Sequence, residues 1–121
     1  MTYRLTIPGR PLPKGRPRFT RTGHAYTPKT TKLHEQKIRD ICTEHFDEPI
    51  TCPVSMELKF YITGKRLIDV DNLCKSAMDG LQPTALADDS QVYRLTAERI
   101  AVNKASEQRT EIVIRGAANG S

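Results

Sequence analysis

Residues 69 to 91 read DVDNLCKSAMDGLQPTALADDSQ, and the chain folds around how this stretch is placed. Leu73, Cys74, Ala77, Met78 and Leu81 recur at three- and four-residue intervals, which puts them on one face of an α-helix. Asn72, Lys75, Ser76 and Asp79 fall on the opposite face. The spacing predicts a helix from about Asn72 to Gln82, with Asp71 at its start and Pro83 stopping it. Five aspartates (Asp69, Asp71, Asp79, Asp88, Asp89) share these 23 residues with Lys75 and Asn72, and no other segment is so acidic.

Strand patterns flank the helix. Upstream, Val54, Met56, Leu58, Phe60 and Ile62 alternate with Ser55, Glu57, Lys59 and Tyr61, the clearest period of two in the chain. A basic turn, Thr63-Gly64-Lys65-Arg66, links that strand to the acidic stretch. Downstream, residues 92 to 102 (VYRLTAERIAV) and 110 to 114 (TEIVI) read as two more strands. Joined by a short turn, they should be antiparallel. Near the N-terminus Tyr3, Leu5 and Ile7 alternate with Thr2, Arg4 and Thr6, and Pro8-Gly9 ends that strand. Between the first two strands, Leu33, Ile38, Ile41, Cys42 and Phe46 mark a helix over residues 30 to 46, with Thr30 or Thr31 as its N-cap and Pro49 beyond its end. The order is β-arm-α-β-α-β-β, an α+β domain with a small mixed sheet and two main helices. At 121 residues the chain is one domain, 1–121, with a polar tail at 116–121 expected to fray.

The charge is divided along the chain. The net charge is +5, yet residues 1 to 39 hold ten Lys/Arg and one acid, Glu35, while the remainder holds nine Lys/Arg and thirteen acids. Residues 9 to 28 (GRPLPKGRPRFTRTGHAYTP) form a basic arm rich in Pro and Gly. Its cations Lys14, Arg16, Arg18 and Arg21 are the candidate DNA contacts, since arginine and lysine offer charge and donors to phosphate oxygens. Phe19 is a candidate for stacking on an unpaired base, and Tyr26 for packing on the core.

Other functional classes are poorly supplied. Cys42, Cys52 and Cys74 are odd in number and match no zinc spacing, so they read as small buried residues in a reducing compartment. His34 and His45 lack companions at metal-ligand spacing and are expected at the surface or an interface. No run has the length of a signal peptide or membrane span, and the expected location is the cytoplasm, with no membrane partner.

The acids admit two readings. Asp69 and Asp71, two apart before a helix, can point to one side. A strand-to-helix junction and the loop-to-strand junction at Asp88-Asp89 can converge at one sheet edge, where three carboxylates make a hard oxygen site suited to Mg²⁺. Such an ion polarises a phosphodiester and orients a water, and Lys75 is placed to meet charge growing in the transition state. The structural reading makes Asp71 an N-cap, Lys75 and Asp79 an exposed ion pair one turn apart, and Asp88-Asp89 turn residues.

The run Asp69-x-Asp71-Asn72-Leu73-x-Lys75-x-x-x-Asp79-x-Leu81, followed by Asp88-Asp89-x-Gln91-Val92, resembles the RusA family of Holliday junction resolvases, from first strand to last. The resemblance implies a homodimeric endodeoxyribonuclease, often of prophage origin, that cuts four-way DNA junctions symmetrically with Mg²⁺, or Mn²⁺ in its place, in DNA recombination and repair. It implies metal ligands at Asp69, Asp71 and Asp89, an essential Lys75, and supporting roles for Asn72, Asp79 and Asp88. The arm, by contrast, looks like a form from a Gram-positive phage branch and departs from the better-known proteobacterial one, so the family assigns no residue there. Two other classes stand beside this reading: a non-catalytic branched-DNA-binding dimer, and a hydrolase of RNA or small phosphates.

Overall fold

The computed structural model describes residues 1–14, 18–26, 28–64 and 68–116, with the backbone alone for Arg18. The elements run β1 (Thr2–Pro8), β2 (Arg18–Phe19), β3 (Ala25–Tyr26), α1 (Lys29–His45), β4 (Val54–Ile62), α2 (Val70–Leu81), β5 (Val92–Ala101) and β6 (Arg109–Gly116). Short 3-10 turns at Asp89–Gln91 and Ala105–Glu107 precede β5 and β6. The main sheet has the order β1-β6-β4-β5. β6 is antiparallel to both β1 and β4, whereas β4 and β5 are parallel.

The alternation in β4 sorts its residues to two faces. Val54, Met56, Leu58, Phe60 and Ile62 are buried, as are Leu5, Ile7, Ile112 and Ile114, which the register places on the same side. This apolar face meets Ile38 and Cys42 of α1 and Leu73, Ala77 and Leu81 of α2 in one core. The opposite face is polar: the Arg115 guanidinium meets Glu57 at 2.7 Å, and Arg109 lies 3.7 Å over the Tyr61 ring. The domain is thus two layers, helices on one side of a mixed sheet.

β5 and β6 do run in opposite directions, but β4 lies between them and they do not pair. Their connection therefore crosses the end of β4, where the Gln108 side-chain oxygen accepts from the backbone N–H and hydroxyl of Thr63, at 3.1 and 2.9 Å. The arm is not without structure: β2 and β3 form a small antiparallel hairpin. Its turn has Thr20 N–H bonded to the His24 carbonyl, with Gly23 at φ 86°, where a side chain would strain the backbone.

The buried face of α1 is rotated from the expected one. Thr31, His34, Ile38 and Cys42 point inward, while Leu33 is 60% exposed. His34 is therefore a buried residue, not a surface one, and burial pushes its imidazole below the ordinary range. Pro28 is the N-cap of α1, with no side-chain cap, so neither Thr30 nor Thr31 has that role. Tyr26, expected against the core, is exposed, as is Phe19. Cys42 and Cys74 are free and buried, and burial raises the Cys42 thiol to about 11, as suits a packing residue.

α2 packs on two sides. Its apolar residues face the sheet, and Ser76 and Gly80 face inward as well, so Ser76 is not on an exposed side. A Cβ at Gly80 would sit 2.7 Å from Cδ1 and 2.8 Å from Cβ of Ile38, so the glycine is what permits the close approach of α1 and α2.

Candidate active site

The acidic stretch is a β-α-β crossover, and that topology determines where each carboxylate lies. The chain leaves β4 at Ile62, returns along α2 and enters β5 beside Val54. A twelve-residue helix is about 18 Å long. Asp69 and Asp71 therefore lie at one end of the β4–β5 pair, and Asp88 and Asp89 at the other.

Hydrogen bonds hold both ends in place. The Arg99 guanidinium, late in β5, donates to the Ile68 carbonyl and pins the chain just before Asp69. Gln91, just before β5, donates from its amide to the carbonyls of Ile50 at 2.7 Å and Cys52 at 2.9 Å. The expectation that the two junctions converge at one sheet edge does not hold within a single chain. Among the described residues no group of three or more His, Cys, Asp or Glu is placed to share a metal ion.

At the first end Asp69 is the N-cap of α2, its carboxylate accepting the Asp71 N–H at 3.1 Å. The cap is thus Asp69, and Asp71 falls in the first turn, where an acid also suits the helix dipole. Lys75 reaches back one turn to Asp71, at 3.3 Å, rather than forward to Asp79. Both side chains remain largely exposed, so the pair is open to a ligand and costs little to rearrange. Two carboxylates and an ammonium share this end, and both acids present oxygens to solvent.

Asp79 has another partner. Lys14, from the arm, forms ion pairs with Asp79 and with Glu35 of α1 at 3.5 Å, and its N–H donates to the Asn72 carbonyl at 3.3 Å. The Asp79 hydrogen bond is the main cause of the raised Lys14 ammonium. One of the four candidate DNA contacts is therefore engaged as a clasp between the arm and both helices. Arg10 is engaged too, donating to Thr63 and to Gln108 at 2.8 Å. Arg21 sits exposed in the turn of the β2–β3 hairpin beside Phe19, which is 70% exposed. Arg16, the side chain of Arg18 and the Lys65-Arg66 turn lie outside the described residues.

At the second end Asp88 caps its 3-10 turn reciprocally with Gln91, its N–H donating to the Gln91 side chain at 2.8 Å. The Ser90 hydroxyl donates to the Asp88 carboxylate at 2.6 Å and is the main cause that holds it below the usual carboxylate range. Asp89, the next residue, is exposed. A surface depression of about 610 Å³ is lined by Tyr3, Phe46, Ile50 and Cys52 among others, and touches neither acid pair. The acids lie on open surface, as a site for a large polyanion requires.

A family model described as "Endodeoxyribonuclease RusA" matches residues 8–115. The chain belongs to the RusA endodeoxyribonuclease family. It is also similar to the "Crossover junction endodeoxyribonuclease RusA" of Shigella sonnei (strain Ss046), 27% identical over 126 aligned residues that cover 98% of each chain. In this RusA-family chain, sequence reading overlooked Gln91, Arg99 and Glu35 as positioning residues. Gln91 alone carried a signal, its place within the Asp88-Asp89-x-Gln91 motif.

Proposed function

We infer that this protein is a Holliday junction resolvase, an endodeoxyribonuclease that cuts four-way DNA junctions by metal-assisted phosphodiester hydrolysis. The family match over residues 8–115 carries the reading. The exposed Asp69–Asp71–Lys75 group gives it chemistry. A hard divalent cation needs only two or three carboxylates and keeps several waters, so Asp69 and Asp71 fit Mg²⁺ or Mn²⁺ by donor type and exposure. When bound, the ion would polarise the scissile phosphate and supply an acidified water.

The residues themselves have separable tasks. Asp69 caps α2 through one oxygen and so keeps its carboxylate in a fixed place. Asp71 and Lys75 neutralise each other without substrate. With a cation held by Asp69 and Asp71, the Lys75 ammonium would be free to meet the developing negative charge on the phosphoryl oxygens. Arg21, at the tip of the arm hairpin, and Arg16 and Arg18 supply phosphate contacts. Lys14 keeps the arm seated on the helices, and Asp79 serves by holding Lys14.

Incubation of a synthetic four-way junction with Mg²⁺ and with EDTA tests this. Paired nicks are expected only with Mg²⁺, and Asp71→Asn should bind the junction without cutting it. Junction binding with no nicking in either condition would favour the non-catalytic DNA-binding reading. Equal cutting of linear duplex, RNA or mononucleotides would favour a general phosphate hydrolase.

A further inference from the structure

Where the arm crosses the start of α1 it leaves a notch of about 270 Å³, lined by Arg10 and Leu12 of the arm and by Thr30, Leu33, His34 and Lys37 of the helix. Its walls are apolar. Leu12 is half-buried, and Leu33 is 60% exposed and takes no part in the core. Its floor is His34, which is only 8% exposed. The imidazole makes no hydrogen bond among the described residues, yet no buried side-chain nitrogen there lacks a partner. The exposure that His34 keeps therefore includes its ring nitrogens, and they open onto the notch. Burial keeps the ring neutral at neutral pH, so one nitrogen donates and the other accepts.

The rim is cationic for no reason that the fold supplies. Lys29 and Lys32 open α1, both exposed and in no ion pair among the described residues. Cations at this end oppose the helix dipole. No acid stands in the first turn to offset them, and no side chain caps the N-terminus. Glu35, further along the helix, is taken by Lys14 and Arg39. A phosphate at the start of α1 would satisfy both lysines and the dipole together.

Cations around an apolar slot with a polar floor match a nucleotide, which has an anionic backbone, flat apolar faces and a hydrogen-bonding edge. Size decides which part enters. Pockets for whole drug-sized ligands begin at about 300 Å³, so this notch takes one base and leaves sugar and phosphate at the rim. Its place in the fold ties it to the acids. Arg10 is bonded to Thr63, just beyond β4, and two residues past Leu12 the Lys14 N–H meets the Asn72 carbonyl. The notch thus opens at the end of the domain that carries Asp69, Asp71 and Lys75, with about 7 Å of extended arm from Leu12 to Lys14. We propose that it receives one unpaired base of the DNA strand bound at that end, with the ring against Leu12 and Leu33, an edge on His34, and the flanking phosphates on Lys29 and Lys32. The proposal rests on the resolvase reading for the choice of DNA. The crossover of a junction is where the continuous stack is broken, and a base is extruded at least cost where pairing or stacking is already weak.

Binding in EDTA, where nothing is cut, tests this with the full chain. Each nucleotide flanking the crossover of a synthetic junction is replaced in turn by 2-aminopurine, whose emission rises on unstacking, and by an abasic nucleotide. Wild-type protein is expected to raise emission at one symmetry-related set of positions. It should bind the junction that is abasic there about 5-fold more weakly, the low end for a stacked base. Leu33→Gln changes an exposed side chain outside the core. It should cancel the emission rise and lose a similar factor on the intact junction, yet bind the abasic junction as tightly as wild type does, because base and wall belong to one contact. Lys32→Gln should weaken both junctions alike and lower the magnitude of the salt slope by about 0.9. Losses that simply add, a Leu33→Gln protein with wild-type affinity and emission, or no position of raised emission would each overturn the base site. Nicking in Mg²⁺ is scored separately. Nicks without an emission rise keep the resolvase reading and discard the base site, and the reverse pattern keeps the base site and discards the resolvase reading.

Discussion

Asp71 and Lys75 show how a surface ion pair can be a resting state. Each is exposed and each has the other within 3.3 Å, an arrangement worth less than about 1 kcal/mol in water. Lys75→Ala should therefore leave the melting temperature nearly unchanged and slow junction cleavage by about 10²-fold or more, with affinity kept. A parallel loss of binding would make Lys75 a phosphate anchor instead. His34 differs, since its ring is buried and its pKa lies below the ordinary 6.5. The unfolded chain then takes up the proton at higher pH than the folded one, so stability is lost as pH falls through 6.5 toward the depressed value. Denaturation measured between pH 8 and pH 5 should show this decline, and His34→Gln should flatten it over that window.

At the scale of elements, α1 and α2 touch through Gly80. Gly80→Ala places a methyl group against Ile38, and overpacking of this kind costs about 1–3 kcal/mol, more than the roughly 1 kcal/mol of helix propensity that alanine returns. A lower melting temperature is expected, partly restored by Ile38→Val, which removes the closest atom, Cδ1. β4 and α2 were legible in the residue pattern because each has a clean period, two for the strand and 3.6 for the helix. The rotation of α1 was not, because its apolar residues are sparse and the inward positions include Thr31 and His34, which hydropathy assigns to solvent. The neighbours of β5 were not legible either. Alternation reports which face a strand buries and says nothing about which strand lies beside it. The separation of the acids, however, follows from a pattern already visible. A twelve-residue helix stopped by Pro83 separates the acids before it from those after it by about a helix length, whichever strands flank it.

Over the whole molecule, we separate cations that the fold engages from those we propose as DNA contacts. Arg10 and Lys14 belong to the first group, tied to Gln108 and to Asp79. Arg16, Arg18 and Arg21 are assigned to the second, so replacing Arg16 and Arg18 with Ala should lower the magnitude of the slope of log affinity against log salt by up to about 2, at roughly 0.9 per phosphate contact. Arg10→Ala should leave that slope unchanged while lowering thermal stability. On the proposed reading, a basic arm and acids on the crossover would give a surface that attracts the polyanion broadly and approaches its phosphates with carboxylates only where a cation bridges them. Such a surface is proposed to cut four-way junctions. Mapping the cut positions of wild-type protein on a mobile junction in Mg²⁺, strand by strand, tests it most directly. Nicks at symmetry-related positions in two strands of like polarity are expected, absent in EDTA; binding without any nick, or cuts spread without symmetry over all four strands, would contradict it.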